Sequence, residues 1–81
     1  MMSSKEKYDG VFVESFSVDA NMLNDKLEYN SIEAWDSIGH MQMISELEDA
    51  FEIEFEMDDI IDFSSYNKGV EILAKYGIKV N

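Results

Sequence analysis

The chain has 81 residues, 18 acids against six lysines and no arginine, and a formal net charge of −12. A chain of this length allows a single domain, here residues 1–81, which buries only about 60% of its unfolded surface and leaves no room for a large enclosed active site. Nucleic acid is excluded as a partner because phosphate binding needs cations; no apolar run reaches the ~20 residues of a membrane span, and with no cysteine there is neither a disulfide nor a thiolate metal site.

In chain order, Ser3-Ser4-Lys5-Glu6 has the serine and glutamate spacing of a capping box, and Tyr8, Val11, Phe12 and Phe16 then recur at helical intervals. This predicts a first helix over about residues 4 to 17. The same opening residues lack the apolar stretch of an export signal, so the expected location is the cytoplasm. From Val18 to Asp36 the periodicity lapses among turn formers such as Asp19, Asn21, Asn24, Asp25 and Asn30, with Leu23, Leu27, Tyr29, Ile32 and Trp35 as scattered anchors. Such a long connection without regular structure is uncommon in small domains and is often functional.

The second helix has the clearest pattern. Ile38, Met41, Ile44, Leu47 and Phe51 follow intervals of three and four, with Gln42, Ser45, Glu46 and Asp49 on the other side and Asp36 or Ser37 as the cap. Met57 to Phe63 predicts one or two further helical turns. A last helix opens at Ser64 or Ser65, carries Tyr66, Val70, Leu73 and Ala74 on one face, and closes with Lys75 and Gly77. Gly69 inside it costs about 1 kcal/mol against alanine, a cost that close helix approach would justify. The expected fold is all-α: a small four-helix bundle with a long first loop and a short third helix.

Charge placement narrows the function. Between Leu27 and Asn67 there is no lysine, while Glu28, Glu33, Asp36, Glu46, Glu48, Asp49, Glu52, Glu54, Glu56, Asp58, Asp59 and Asp62 all lie there. Those twelve acids are the whole excess, because the flanking segments balance six acids against six lysines. A surface of one sign steers a basic partner over about 8 to 10 Å at physiological salt, although most charge runs serve only solubility. Repulsion among these carboxylates also favours a monomer.

No residues suit catalysis by the chain itself. His40 is the single histidine and no Ser, His and acid set is evident, so neither nucleophilic catalysis nor a zinc site is expected, and His40 reads as a surface polar group without a role. The stretch from Asp19 starts partly like a calcium loop but lacks the fifth-position ligand, the sixth-position glycine and the twelfth-position glutamate. Ser37 remains. Most serines at a helix start are caps worth about 1 kcal/mol, but if Asp36 caps, the Ser37 hydroxyl points outward near the roughly +0.5 charge of the helix N-terminus. A phosphate ester would be well placed there.

At Trp35-Asp36-Ser37-Ile38-Gly39-His40-Met41, followed by Ile44, Leu47, Glu48 and Phe51, the chain resembles the acyl carrier protein family. The resemblance extends over the long loop, the acidic middle and the short third helix. It implies that Ser37, preceded by Asp36, carries 4′-phosphopantetheine, transferred from coenzyme A by a magnesium-dependent phosphopantetheinyl transferase, the holo-acyl-carrier-protein synthase. It implies further that the chain is no enzyme: its arm holds acyl groups as thioesters for acyl ligases, ketosynthases or acyltransferases of fatty acid, polyketide or lipopolysaccharide-type biosynthesis. Recognition by their basic surfaces would fall to Ile38, Gln42, Glu46, Glu48 and Asp49, with Asp58, Asp59 and Asp62.

Three positions depart from the family pattern: Ile38 replaces a common leucine, and Gly39 and Gln42 stand where fatty-acid-synthesis members often have acids. Trp35 also suggests a specialised carrier. A D-alanyl or peptidyl carrier is one alternative, and an acidic helical interaction module without a prosthetic group is another. The apolar set, Phe12, Phe16, Leu27, Met41, Ile44, Leu47, Phe51, Ile60, Ile61, Phe63, Val70 and Leu73, is first a core, in which Met41 and Met43 could make an acyl pocket adaptable.

Overall fold

Four helices form in the computed structural model, which describes residues 2–80: α1 (Ser4–Phe16), α2 (Ser37–Phe51), α3 (Met57–Asp62) and α4 (Tyr66–Lys75). This is the expected all-α arrangement with a long first connection and a short third helix. The connection holds a single 3-10 turn, Ala20–Met22. α1 starts at the capping box, where the Ser3 hydroxyl accepts from the Glu6 N–H and the Glu6 carboxylate accepts from the Ser3 N–H. It stops at Ser17, whose left-handed backbone, φ 53°, turns the chain away. Tyr8, Val11, Phe12 and Phe16 are its buried stripe.

The core is aromatic. Phe12 lies at its centre, with ring centroids 4.9 Å from Tyr8, 5.3 Å from Tyr66, 5.6 Å from Trp35 and 6.3 Å from Phe63. Ile44, Leu47 and Leu73 close it from α2 and α4. Each aromatic ring contributes a large buried area, and tilted or edge-on pairs add about 0.5–1.5 kcal/mol each beyond that. Few residues can therefore seal a domain this small.

The buried face of α2 is rotated from the one its periodicity suggested. His40, Met43, Ile44 and Leu47 point inward with Gly39, whereas Ile38 is 73% and Met41 52% exposed. On α3, Ile61 is likewise exposed, at 71%. Two stripes of three and four spacing coexist on α2, one through residues 38, 41 and 44 and one through 40, 43, 44 and 47. The aromatic core selects the second because Trp35, fully buried just before the helix, fixes its rotation. On α4, Gly69 and Ile72 are buried with Tyr66 and Leu73, Val70 is half-buried, and Ala74 is exposed.

Gly69 does mark a close approach. A Cβ there would lie 2.1 Å from the Tyr8 hydroxyl and 2.2 Å from the Phe63 ring, so the contact admits only hydrogen. The Tyr8 hydroxyl donates to the Tyr66 carbonyl at 2.6 Å, and its burial raises its pKa far above the ordinary tyrosine value. Tyr66 in turn donates to Asp9, which pairs with Lys5 at 2.7 Å, so α1 and α4 are joined by one polar chain beside the aromatic contact. α4 ends as a Schellman motif: the Gly77 N–H donates to Ala74 and the Ile78 N–H to Leu73, with Gly77 at φ +82°.

Asp59 is turned inward rather than toward a partner. It is 6% exposed and accepts from Lys75 Nζ at 2.5 Å and from the Tyr76 hydroxyl at 2.6 Å, fastening α3 to the end of α4. These two hydrogen bonds, that from Lys75 first, hold its carboxyl below the ordinary value of 3.8.

Two outcomes follow from this packing. Gly69→Ala forces Tyr8 and Phe63 apart and is expected to destabilise the fold by about 1–3 kcal/mol, the usual cost of overpacking, read by chemical denaturation. Asp59→Asn removes the fastening of α3. Because the folded carboxyl is the stronger acid, its stabilisation is present above the unfolded value of 3.8 and disappears as pH falls through the lower folded value. Thermal melts should therefore show a gap between wild type and Asp59→Asn at neutral pH that closes under acid conditions.

Candidate functional site

The end of the long loop is held on three sides before it reaches α2. The Tyr29 N–H donates to Ser64 and the Tyr66 N–H to Leu27, an isolated antiparallel pairing that lays the loop against the start of α4. Asn30, at φ 66°, then reverses the chain and its N–H donates to the Trp35 carbonyl. Trp35 is fully buried, stacked on Phe16 at 5.1 Å. It is thus a structural anchor and need not mark a specialised carrier.

His40, expected at the surface, is 9% exposed and occupies both ring nitrogens. The Trp35 indole N–H lies 2.9 Å from His40 Nδ1, and His40 Nε2 lies 2.8 Å from the Ile60 carbonyl. An indole nitrogen can only donate, so Nδ1 must accept, and the ring proton resides on Nε2. Nε2–H then donates to Ile60, whose carbonyl is among the last four of α3 and has no partner within that helix. His40 was missed because a lone histidine carries no sequence signal. Its place on the stripe with Met43, Ile44 and Leu47 was the available hint.

This anchoring settles which residue caps α2. Asp36 is extended, φ −105° and ψ −169°, and its Oδ1 accepts from the Gly39 N–H at 2.8 Å. Ser37 is the first helical residue and is exposed. Its hydroxyl is left beside the positive end of a 15-residue helix, where an anion is favoured. Gly39 has a packing reason: a Cβ there would sit 2.0 Å from the Ala34 carbonyl oxygen, so an acid at this position would push the loop off the helix.

Beside Ser37 lies an apolar cleft of about 410 Å³ between α2 and α3. Met41 on α2, Met57, Ile60 and Ile61 on α3, and Tyr29 from the loop form its walls, and His40 reaches it from below. The methyl groups at its rim are exposed, Met57 at 70% and Ile61 at 71%. Met41 and Met43 consequently part company: Met41 lines this cleft, while Met43 is fully buried in the core.

The remaining acids expected around the site divide by exposure. Glu46, Asp49, Asp58 and Asp62 are exposed, as are Gln42 and Asp36. Glu48 is half-buried and its Oε2 accepts from the Phe55 N–H at 2.9 Å, closing the turn after α2. With Asp59 committed to Lys75 and Tyr76, the exposed acids of the two helices are Glu46 and Asp49 on α2, which lie along the groove against α1, and Asp58 and Asp62 on α3. Among the described residues no group of acids or histidine is arranged to hold a metal ion.

An exposed hydroxyl at a helix N-terminus, preceded by the capping Asp36 and flanked by an apolar cleft, suits a serine that carries a phosphodiester-linked arm. A family model described as a phosphopantetheine attachment site matches residues 13–73, which spans the end of α1, the loop, α2, α3 and most of α4. Neither the curated proteins nor the solved structures gave a match. The chain belongs to the family of phosphopantetheine attachment site domains, non-catalytic carriers that hold 4′-phosphopantetheine covalently on a serine and work with a phosphopantetheinyl transferase and biosynthetic enzymes.

Proposed function

We propose that residues 1–81 form one acyl carrier domain, that Ser37 is its attachment serine, and that the arm shuttles acyl groups between enzymes of fatty acid, polyketide or lipopolysaccharide-type biosynthesis. The observation that carries this reading is the division of labour at the start of α2: Asp36 satisfies the helix end, which leaves the Ser37 oxygen exposed and uncommitted. The arm supplies a terminal thiol, the sulfur that the cysteine-free chain lacks. Ser37 supplies the oxygen that becomes the phosphodiester, and the N-terminal peptide dipoles of α2 stabilise the negative charge it then bears.

Partners approach over α2 and α3. Ile38, with Met41 beside it, offers apolar contact, and Gln42, Glu46, Asp49, Asp58 and Asp62 offer polar and acidic contact to basic docking surfaces. Asp59 and Glu48 act within the fold, so they support this face without forming its contacts. The domain works as a monomer in the cytoplasm; among the described residues no helix is long and apolar enough to cross a membrane.

Incubation with coenzyme A, magnesium and a broad-specificity phosphopantetheinyl transferase should add one phosphopantetheine to the wild-type mass and none to Ser37→Ala. An unmodified wild type would instead identify an acidic interaction module. Loading should also be salt-sensitive, because screening shrinks from about 10 Å at 0.1 M to about 3 Å at 1 M. The transferase KM is expected to rise with ionic strength and to rise again in Asp49→Lys at fixed salt, with kcat little changed.

A further inference from the structure

The cleft beside Ser37 ends on His40 and Phe63, and behind them lies the aromatic core. The imidazole is nearly parallel to Trp35, at 6.2 Å and 15°, and stands edge-on to Phe63 at 6.1 Å and to Tyr29 at 5.6 Å. The ring lines the cleft and also abuts Trp35 and Phe63, which are buried in the core. The two hydrogen bonds from Trp35 and to Ile60 fasten it across the gap between α2 and α3.

We propose that His40 is a partition that holds acyl groups in the surface cleft against Met41 and Ile61 and keeps them out of the bundle interior, so that this carrier shelters only short ones. The inference rests on Ser37 as the attachment point and names the class of cargo. An acyl chain moving into the core past Phe63 must displace a ring packed on Phe12 and Phe55, and one moving in past His40 must displace the imidazole and break both hydrogen bonds. That leaves an indole N–H and a helix-terminal carbonyl unpaired in apolar surroundings, each penalising the inserted state by about 5- to 150-fold. Each methylene transferred inward gives back about fourfold, so only a long chain could compensate, and it would meet a core already filled by Phe12, Leu47 and Leu73. A short chain gains as much from the exposed methyl groups of the cleft without breaking anything.

The imidazole does this by position and not by titration. His40→Gln retains an acceptor for Trp35 and a donor for Ile60, whereas His40→Ala retains neither. Trp35→Phe keeps a ring in the core but removes the donor that locks the imidazole, and so provides a second way to loosen the partition.

The test loads the full-length protein from butyryl- and dodecanoyl-coenzyme A with a broad-specificity transferase and locates the terminal methyl of each chain by nuclear Overhauser contacts. In wild type both methyls should contact Met41 or Ile61 side chains, and neither should contact Leu47 or Leu73. In His40→Ala or Trp35→Phe the dodecanoyl methyl should move to Leu47 and Leu73, and His40→Gln should return it to the cleft. Dodecanoyl contacts with Leu47 and Leu73 in wild type overturn the partition while leaving Ser37 as the attachment point. Failure of Ser37 to load at all overturns the attachment reading, and this proposal with it. Wild type alone decides the matter if a variant does not fold.

Discussion

Trp35 donates its indole N–H to His40, and His40 donates its own N–H to the Ile60 carbonyl. By these two bonds the end of the loop, the first turns of α2 and the end of α3 are fixed to one another inside an apolar surround. Almost every feature of the site depends on that constraint. The buried indole sets where the loop ends and how far α2 is rotated; the rotation turns Ile38 and Met41 outward, and the hold on Ile60 sets the separation of α3 that makes the cleft. A neutral, doubly bonded imidazole is unusual material for a core wall, but here each of its ring nitrogens meets a group that would otherwise be an orphan.

The acidic surface works against this small fold. Twelve acids lie between Leu27 and Asn67 without one lysine, and their mutual repulsion favours any more open arrangement. The polar fastenings are correspondingly placed at the ends of the chain, where the lysines are: Lys5 with Asp9 and Tyr66, and Lys75 with Asp59 and Tyr76. Both draw an outlying lysine against a carboxylate. The middle of the chain is left without a lysine, and most of its acids are exposed.

Rigidity and access are also divided along the chain. The loop before Ser37 is irregular in outline but pinned at Leu27, Tyr29, Asn30 and Trp35, so the Ser37 hydroxyl stands on a defined helix end. α3 is only six residues long and is held chiefly by its contacts, with Asp59 at one side and the Ile60 carbonyl at the other. Both contacts bear on the position of α3 and so on the cleft.

Local chemistry was legible in the sequence because it acts over a few residues. The capping box at Ser3 and Glu6, the buried stripe of α1, the turn at Gly77 and the Asp36-Ser37 start of α2 all follow from spacing and side-chain chemistry, and the number and order of helices with them. What spacing could not decide was which of two overlapping stripes on α2 faces inward. That choice depends on Trp35, whose burial reflects its fit against Phe12 and Phe16 from another helix. The same holds for His40, Asp59 and the separation of Met41 from Met43: each owes its role to a partner on another element, 16 to 20 residues away for Asp59 and for His40 with Ile60, or to a rotation set by one. Periodicity records that a helix has an apolar side, and only the packed neighbours determine which residues occupy it.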